Sequence, residues 1–160
     1  MPVSVSSSDI RIDKEGIWYY RGAEMFRQDI VNLLYRSLKQ DEEGRYLIDF
    51  AGEHAYLEVE DTPFVIKSVS YTTGAQGEEA FHLSMPDGSE ESLDPKTLRI
   101  NADDVLYCTL GPGFPARFSR AAYYQLAEHI QYDAEQDSHY LLLNGHRFYI
   151  TITTENSTHS

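Results

Sequence analysis

The chain is short of positive charge and of long apolar runs. It carries 13 Lys and Arg against 26 Asp and Glu, for a net charge of −13 at pH 7. Phosphate contacts supply most of the affinity in non-specific nucleic-acid binding, so this balance argues against a nucleic-acid partner. No window approaches the roughly 18 consecutive apolar residues of a membrane span, so we expect no membrane segment. The acidity itself is typical of a solubilising surface.

Cysteine is almost absent as well. The one cysteine, Cys108, excludes an internal disulfide, and on a predicted strand it is expected to be a buried, inert thiol. The N-terminus lacks the basic start and apolar stretch of a secretory signal, which predicts a cytoplasmic protein. No Ser or Cys nucleophile carries a local catalytic motif beside the scattered histidines. We therefore expect no cofactor and find no support for nucleophilic catalysis.

What the sequence does contain is an internal repeat. The segment Ile10 to Tyr19 (IRIDKEGIWY) aligns with Leu98 to Tyr107 (LRINADDVLY), 88 residues later. A second pair of segments aligns 92 residues apart. It consists of two apolar stripes with a spacing of four, Phe26, Ile30, Leu34, Leu38 and Phe118, Ala122, Leu126, Ile130. The offset grows only across loops, as a duplication would show.

The repeat predicts an α+β protein made of two β-β-α-β-β copies. Each copy is expected to form a mostly antiparallel sheet packed by one helix, and a β-hairpin insert is expected to bridge the two sheets. The predicted boundaries are a loose tail at 1–9, the first copy at 10–62, the insert at 63–97, the second copy at 98–153 and a loose tail at 154–160.

Local signals fix the main elements of both copies. The first apolar stripe predicts a helix from about Phe26 to Lys39, with the stripe residues facing the core and Val31 and Tyr35 widening the apolar face. The second helix is predicted to be capped by Ser119 and to run to about Ile130. Asn144-Gly145 predicts a type I′ hairpin turn, because both residues tolerate positive φ.

Several short motifs resemble a known family. They are Gly16-Ile17-Trp18-Tyr19, the first predicted helix, Asp41 to Leu47 and Val59 to Phe64. Together they are similar to the bacterial domain of unknown function 1285, best over residues 10 to 66. The resemblance implies a duplicated α+β core whose C-terminal half looks like a pleckstrin-homology fold, and a suggested role in signalling.

The sharpest candidate for chemistry is a glycine-bearing loop that leads into the second helix. Gly113, Arg117, Ser119 and Arg120 would surround the helix start, where backbone N–H groups and guanidinium donors suit a carboxylate or phosphate. The first copy repeats this pattern with Arg21 and Arg27. The alternative is that these arginines bind neighbouring carboxylates, because the loop lacks the Lys-Ser/Thr of a phosphate-binding loop.

A second candidate is a set of aromatic residues. Trp18, Tyr20, Tyr123 and Tyr124 would line a groove at the seam, by which we mean the boundary between the two copies. Tyrosine and tryptophan suit such a groove because each offers apolar area and a polar tip. The alternative is that each ring is part of a core.

A group of carboxylates offers a weaker lead. Glu58, Glu60 and Asp61 with His54 suggest metal or acid/base chemistry, but no second histidine follows at ligand spacing. A solvated strand edge accounts for these residues equally well. We predict no metal site.

Two functions remain. The first is a binding or regulatory module, without catalysis, that receives a small anion or a protein partner at the seam. The second is an enzyme that acts on an anionic small molecule at the Arg117/Arg120 helix start.

Overall fold

A computed structural model describes residues 6–50, 52–111 and 113–153. The chain divides into two compact units, unit 1 over residues 1–63 and unit 2 over 64–160. The fold is α+β with mostly antiparallel sheets and, in the described ranges, two α-helices, in agreement with the predicted class. Neither helix is long and apolar enough to cross a membrane. The predicted tail at 154–160 and residues 1–5 lie outside the described residues.

Unit 1 holds one sheet and one helix. Its elements are β1 (Ser6–Ile12), β2 (Trp18–Tyr20), β3 (Ala23–Glu24), α1 (Gln28–Arg36), β4 (Leu38–Gln40), β5 (Tyr46–Phe50) and β6 (Glu53–Val59). The strands form a six-stranded sheet in the order β3-β2-β1-β6-β5-β4. Only β1 and β6 run parallel, which brings the first and last strands of the unit side by side at its centre.

The first predicted helix has the wrong ends, and only part of its predicted apolar face is buried. Phe26 precedes α1 and is 83% exposed, and Ile30 is 38% exposed. The buried helix residues are Val31 and Tyr35, which were expected to widen the apolar face. Leu38 is buried but belongs to β4, which begins two residues after the helix ends. Two neighbouring stripes on α1 both have a spacing of four, so spacing alone could not tell which one faces the core.

Unit 2 holds three sheets and one α-helix in its described residues. Its elements are β7 (Phe64–Ile66), β8 (Ser68–Thr73), β9 (Glu79–Ser84), β10 (Glu90–Ser92), a 3₁₀ turn (Pro95–Thr97), β11 (Arg99–Ile100), β12 (Leu106–Thr109), β13 (Pro115–Phe118), α2 (Arg120–Ala127), β14 (Ile130–Asp133), β15 (Ser138–Leu143), β16 (His146–Tyr149) and β17 (Thr151–Ile152). The strand orders are β10-β9-β8, β17-β11-β12-β13-β7 and β14-β15-β16.

One apolar core joins the three sheets and α2. It includes residues of every sheet, among them Phe81, Leu106, Phe118, Leu126 and Leu141. Residues of the predicted insert are part of this core, because strands β7 to β10 all lie in unit 2. The segment predicted to bridge two sheets is therefore a component of unit 2.

The predicted β-β-α-β-β scheme missed several short strands. In unit 1 a third strand, β3, precedes the helix, and β4 follows it; β13 and β14 flank α2 in the same way. These strands have two to four residues each. Strands this short carry too few alternations for a periodicity argument. In addition, β1 begins at Ser6, inside the segment predicted to be a loose tail.

Other local predictions are confirmed. Ser119 caps α2, because its hydroxyl oxygen accepts a hydrogen bond from the N–H of Ala122 at 3.1 Å. The helix ends earlier than predicted, at Ala127. Asn144 and Gly145 have φ values of 52° and 80° in a two-residue turn between β15 and β16. Cys108 is fully buried, and burial raises the pKa of its thiol to about 12, so the sulfur is protonated and inert.

Two turns at aligned positions of the repeat share one hydrogen-bond pattern. In unit 1, Oδ1 of Asp13 accepts from the N–H groups two and four residues later, both at 2.9 Å. In unit 2, Oδ1 of Asn101 accepts from the corresponding N–H groups at 2.9 and 3.0 Å. The fourth residue of each turn has positive φ, 84° at Gly16 and 61° at Asp104. The same turn conformation therefore has glycine at its fourth position in unit 1 and aspartate in unit 2.

Candidate functional site

Unit 2 contains a cleft of about 410 Å³. Its floor is a row of three side chains on neighbouring strands. Ile100 of β11 is paired with Leu106 of β12 on one side and with Ile152 of β17 on the other. Register partners project to the same face of a sheet, so the three form a continuous aliphatic surface.

The walls come from α2 and from the sheet of β14 to β16. The helix contributes Tyr123 and Ala127, and the sheet side contributes Ile130, His139 and Ile150. The Ser119 cap fixes the start of α2, so that Tyr123 and Ala127, four residues apart, point to the same side of the helix. The cleft is thus mainly aliphatic, with its polar groups supplied by Asp104, Tyr123 and His139.

A hydrogen bond joins two of these polar groups. The Tyr123 hydroxyl donates to Oδ1 of Asp104 at 2.8 Å. Partial burial, this hydrogen bond and the negative charge of Asp104 together raise the pKa of Tyr123 to about 12. The phenol is therefore neutral at physiological pH and acts as a donor to the carboxylate.

A guanidinium, that of Arg120, bonds the backbone of Asp104. Nη1 of Arg120 donates to the main-chain oxygen of Asp104 at 3.2 Å. The guanidinium lies 5.6 Å from the ring centre of Tyr123 and 5.7 Å from that of Tyr124. The described residues form no ion pair with the Asp104 carboxylate and no hydrogen bond to its Oδ2.

The residues predicted to bind an anion in unit 2 have contacts within the protein. The N–H of Gly113 donates to the Leu110 carbonyl, and a carboxylate oxygen of Glu91 accepts from the N–H of Gly111 at 2.5 Å. The hydroxyl of Ser119 donates to the Lys67 carbonyl in addition to capping α2. Arg117 lies on β13 and is half-buried. An internal carboxylate, Glu91, therefore occupies the glycine loop where we expected an external anion.

The equivalent arginines of unit 1 are paired with carboxylates. Arg21 lies 3.3 Å from Asp9, and Arg27 lies 2.8 Å from Asp29. The contact with Asp29 raises the pKa of Arg27 and lowers the pKa of Asp29. Both contacts agree with the alternative interpretation, in which these arginines bind neighbouring carboxylates.

The four predicted seam aromatics have different environments. Trp18 is 2% exposed and packs edge-on against Tyr35, with ring centres 4.9 Å apart, so it is a core residue and its assignment as a ligand contact is corrected. Tyr20 is exposed beneath the guanidinium of Arg21. Tyr124 is exposed on α2. Of the four, Tyr123 lines the cleft.

Sequence reasoning missed most of the cleft. Ile100, Leu106 and Ala127 look like ordinary core residues, and Asp104 like one turn residue among many acidic ones. The signal lay in the differences between the aligned segments. At the shift of 88, Trp18 aligns with Leu106 and Gly16 with Asp104; at the shift of 92, Tyr35 aligns with Ala127. Two large rings in unit 1 thus correspond to two smaller side chains where unit 2 has its cleft.

Comparison with known families confirms the resemblance found in the sequence. Residues 1–62 match the N-terminal domain of the DUF1285 family, a domain of unknown function. The match covers the first 62 of the 160 residues. No match was found among curated proteins.

Two solved structures share the fold. A DUF1285 family protein from Silicibacter pomeroyi DSS-3 superposes with a TM-score of 0.77 and 20% identity, covering 94% of this chain and 84% of that one. A DUF1285 family protein from Shewanella baltica OS155 gives a TM-score of 0.61 and 22% identity, over 74% of this chain and 90% of that one. At these identities the likeness concerns the fold.

Proposed function

We propose that the protein is a binding or regulatory module whose ligand places an apolar body in the cleft of unit 2. One observation carries the proposal, namely the aliphatic cleft of about 410 Å³ between α2 and the row Ile152–Ile100–Leu106. Ligand pockets typically measure roughly 300 to 1,000 Å³ and combine apolar walls with a few polar groups. Asp104, Tyr123 and His139 supply those polar groups here.

The chemistry of the lining favours binding over catalysis. The described residues that line the cleft include no serine, threonine, cysteine or lysine. Tyr123 has a pKa of about 12, too far above neutral pH for a general base. Its hydroxyl and the Asp104 carboxylate instead form a fixed donor and acceptor pair that can orient a ligand.

A ligand in this cleft would connect two parts of unit 2. It would contact α2 through Tyr123 and Ala127 and the sheet through Ile100 and Leu106. Binding to the folded state alone raises the melting temperature with ligand concentration. A ligand that contacts both α2 and the sheet would therefore stabilise the folded form of unit 2.

The test uses octanol as an uncharged apolar probe and two variants of α2. Ala127→Tyr introduces the ring that unit 1 has at the aligned position, so it should fill the cleft. Ala121→Tyr adds the same ring on the exposed side of the helix and serves as the matched control. Amide NMR should show shifts around the cleft in the parent protein and in Ala121→Tyr, and at least tenfold weaker binding in Ala127→Tyr.

Circular dichroism establishes that both variants are folded. Equal octanol binding by the parent protein and Ala127→Tyr would overturn the proposal, because the probe would then bind elsewhere. The absence of any cleft shifts in the parent protein up to the solubility limit of octanol would also overturn it.

A further inference from the structure

The backbone of the turn between β11 and β12 does not explain its aspartate. Asp104 has a φ of 61°, in the left-handed region where glycine is the least strained residue. The aligned turn of unit 1 has the same hydrogen bonds with Gly16 at that position. The turn therefore forms with glycine, and the aspartate adds a carboxylate to the cleft that the turn itself does not need.

This carboxylate has spare capacity to accept hydrogen bonds. Oδ1 accepts from the Tyr123 hydroxyl, while Oδ2 has no donor among the described residues. The Arg120 guanidinium bonds the main-chain oxygen of Asp104 and lies against two tyrosine rings. Asp104 is thus a solvent-exposed acceptor at the rim of an apolar cleft, with no ion-pair partner in the described part of the chain.

We infer that the ligand carries a cationic head group, an ammonium or a related nitrogen cation, that donates a hydrogen bond to Oδ2 of Asp104. This inference rests on the proposed function, because the apolar body of the same ligand fills the cleft. A protein with a net charge of −13 also attracts cations over anions. The ligand class is therefore an amphiphilic amine.

The experiment compares three probes with one apolar body and different head groups: octylammonium, octanol and octanoate. Their dissociation constants are measured by NMR titration at neutral pH and low salt. Octylammonium should bind about threefold to tenfold more tightly than octanol, the range expected for a partly exposed charged hydrogen bond. Octanoate should bind more weakly than octanol. The advantage of octylammonium should shrink as salt is added, because salt screens exposed charges.

Two variants identify the group responsible. Asp104→Asn removes the charge and keeps a residue that tolerates positive φ, so octylammonium and octanol should then bind equally. Asp103→Asn removes one charge from the neighbouring position, which does not line the cleft, and should leave the preference for octylammonium intact.

Each other outcome has a distinct meaning. Equal binding of octylammonium and octanol by the parent protein, both abolished by Ala127→Tyr, would overturn the head-group inference and leave the proposed function standing. Tightest binding of octanoate would overturn the inference in favour of Arg120. An equal loss of preference in Asp103→Asn would show a general field effect and would also overturn it. Failure of all three probes to reach the cleft would overturn the proposed function itself.

Discussion

Each unit has a row of three paired side chains on neighbouring strands, and the row is mostly buried in unit 1 but lines an open cleft in unit 2. In unit 1 the row is Val59–Ile12–Trp18, with one parallel and one antiparallel pairing. Tyr35 of α1 packs on Trp18, and Ile12 is completely buried. In unit 2 the row Ile152–Ile100–Leu106 has the same two kinds of pairing, but Ile152 is 71% exposed and the row is the floor of a cleft.

The difference follows from side-chain size at two aligned positions. Trp18 and Tyr35 fill the space between sheet and helix in unit 1, whereas Leu106 and Ala127 line the cleft in unit 2. A shared arrangement of strands can therefore produce a packed core in one place and an open cleft in another. Here the largest differences in side-chain volume between the aligned segments coincide with the cleft.

The largest expected effect on stability comes from exchanging the residues at the aligned helix positions, Tyr35 of α1 and Ala127 of α2. Tyr35→Ala removes a buried ring from unit 1 and should lower the free energy of unfolding by about 3 to 5 kcal/mol. Ala127→Tyr adds a ring to an existing cleft in unit 2 and should change it by about 1 kcal/mol or less. Urea unfolding, followed by the fluorescence of Trp18 for unit 1 and by circular dichroism for the whole chain, measures both values.

Similar losses of unfolding free energy in Tyr35→Ala and Ala127→Tyr would contradict the proposed difference between the two units. A loss of several kcal/mol in Ala127→Tyr would mean that the cleft cannot accept the ring that unit 1 holds. Leu33→Ala, on the exposed side of α1, is the control for unit 1 and should cost much less than Tyr35→Ala.

A smaller effect is expected at the aligned turns. Gly16→Asp places a charged side chain at a buried position with a φ of 84° and should cost about 2 kcal/mol or more. Asp104→Gly should change the free energy of unfolding by about 1 kcal/mol or less, because relief of left-handed strain offsets the lost hydrogen bond to Tyr123. Chemical denaturation checks both. A large loss in Asp104→Gly would show that the aspartate serves the fold rather than a ligand.

The smallest effect concerns a second pair of turns. Oδ2 of Asp133 accepts from the Tyr149 hydroxyl at 2.6 Å, and Oδ2 of Asp41 accepts from the Tyr56 hydroxyl at 3.0 Å. Both carboxyl pKa values are lowered. For Asp133 the tyrosine hydrogen bond is the largest cause, whereas for Asp41 desolvation opposes the shift and backbone and side-chain hydrogen bonds overcome it.

Replacing each tyrosine by phenylalanine separates the two turns. Tyr149→Phe should raise the pKa of Asp133 more than Tyr56→Phe raises that of Asp41, as read from NMR titration of the carboxyl carbons. A lowered pKa stabilises the folded state above the unfolded value of about 4, and this contribution is lost as the pH falls through the folded pKa. The destabilisation by Tyr149→Phe should therefore be largest at neutral pH and shrink in acid. Equal shifts in the two turns would contradict the difference between them.

The sequence predicted those features that depend on local chemistry. The Ser119 cap, the Asn144-Gly145 turn and the buried Cys108 follow from hydrogen bonding, positive φ and apolar character at single positions. The fold class followed from the order of strong strand and helix signals. These predictions needed no knowledge of which surfaces meet.

Features that depend on packing could not be predicted in the same way. The face of α1 that is buried is decided by the contact between Tyr35 and Trp18, and the stripe of Ile30 and Leu34 has the same spacing. Short strands such as β3 and β13 exist through their hydrogen-bonded partners rather than through their own sequence. Arg120 was predicted to bind an anion because its hydrogen bond to the main-chain oxygen of Asp104, 16 residues away in the sequence, leaves no local sequence signal.

The rate at which a thiol reagent modifies Cys108 can report how often the core of unit 2 opens. Cys108 is the only cysteine in the chain and is fully buried in the core of unit 2. A thiol reagent can react with it only in molecules whose core has opened, so the reaction rate reports how often that happens. When reclosing outpaces the chemistry, the rate follows the population of the open form; when the chemistry is faster, it follows the opening step itself. A ligand held between α2 and the sheet would slow the modification of Cys108. The fluorescence of Trp18 would report on unit 1 independently.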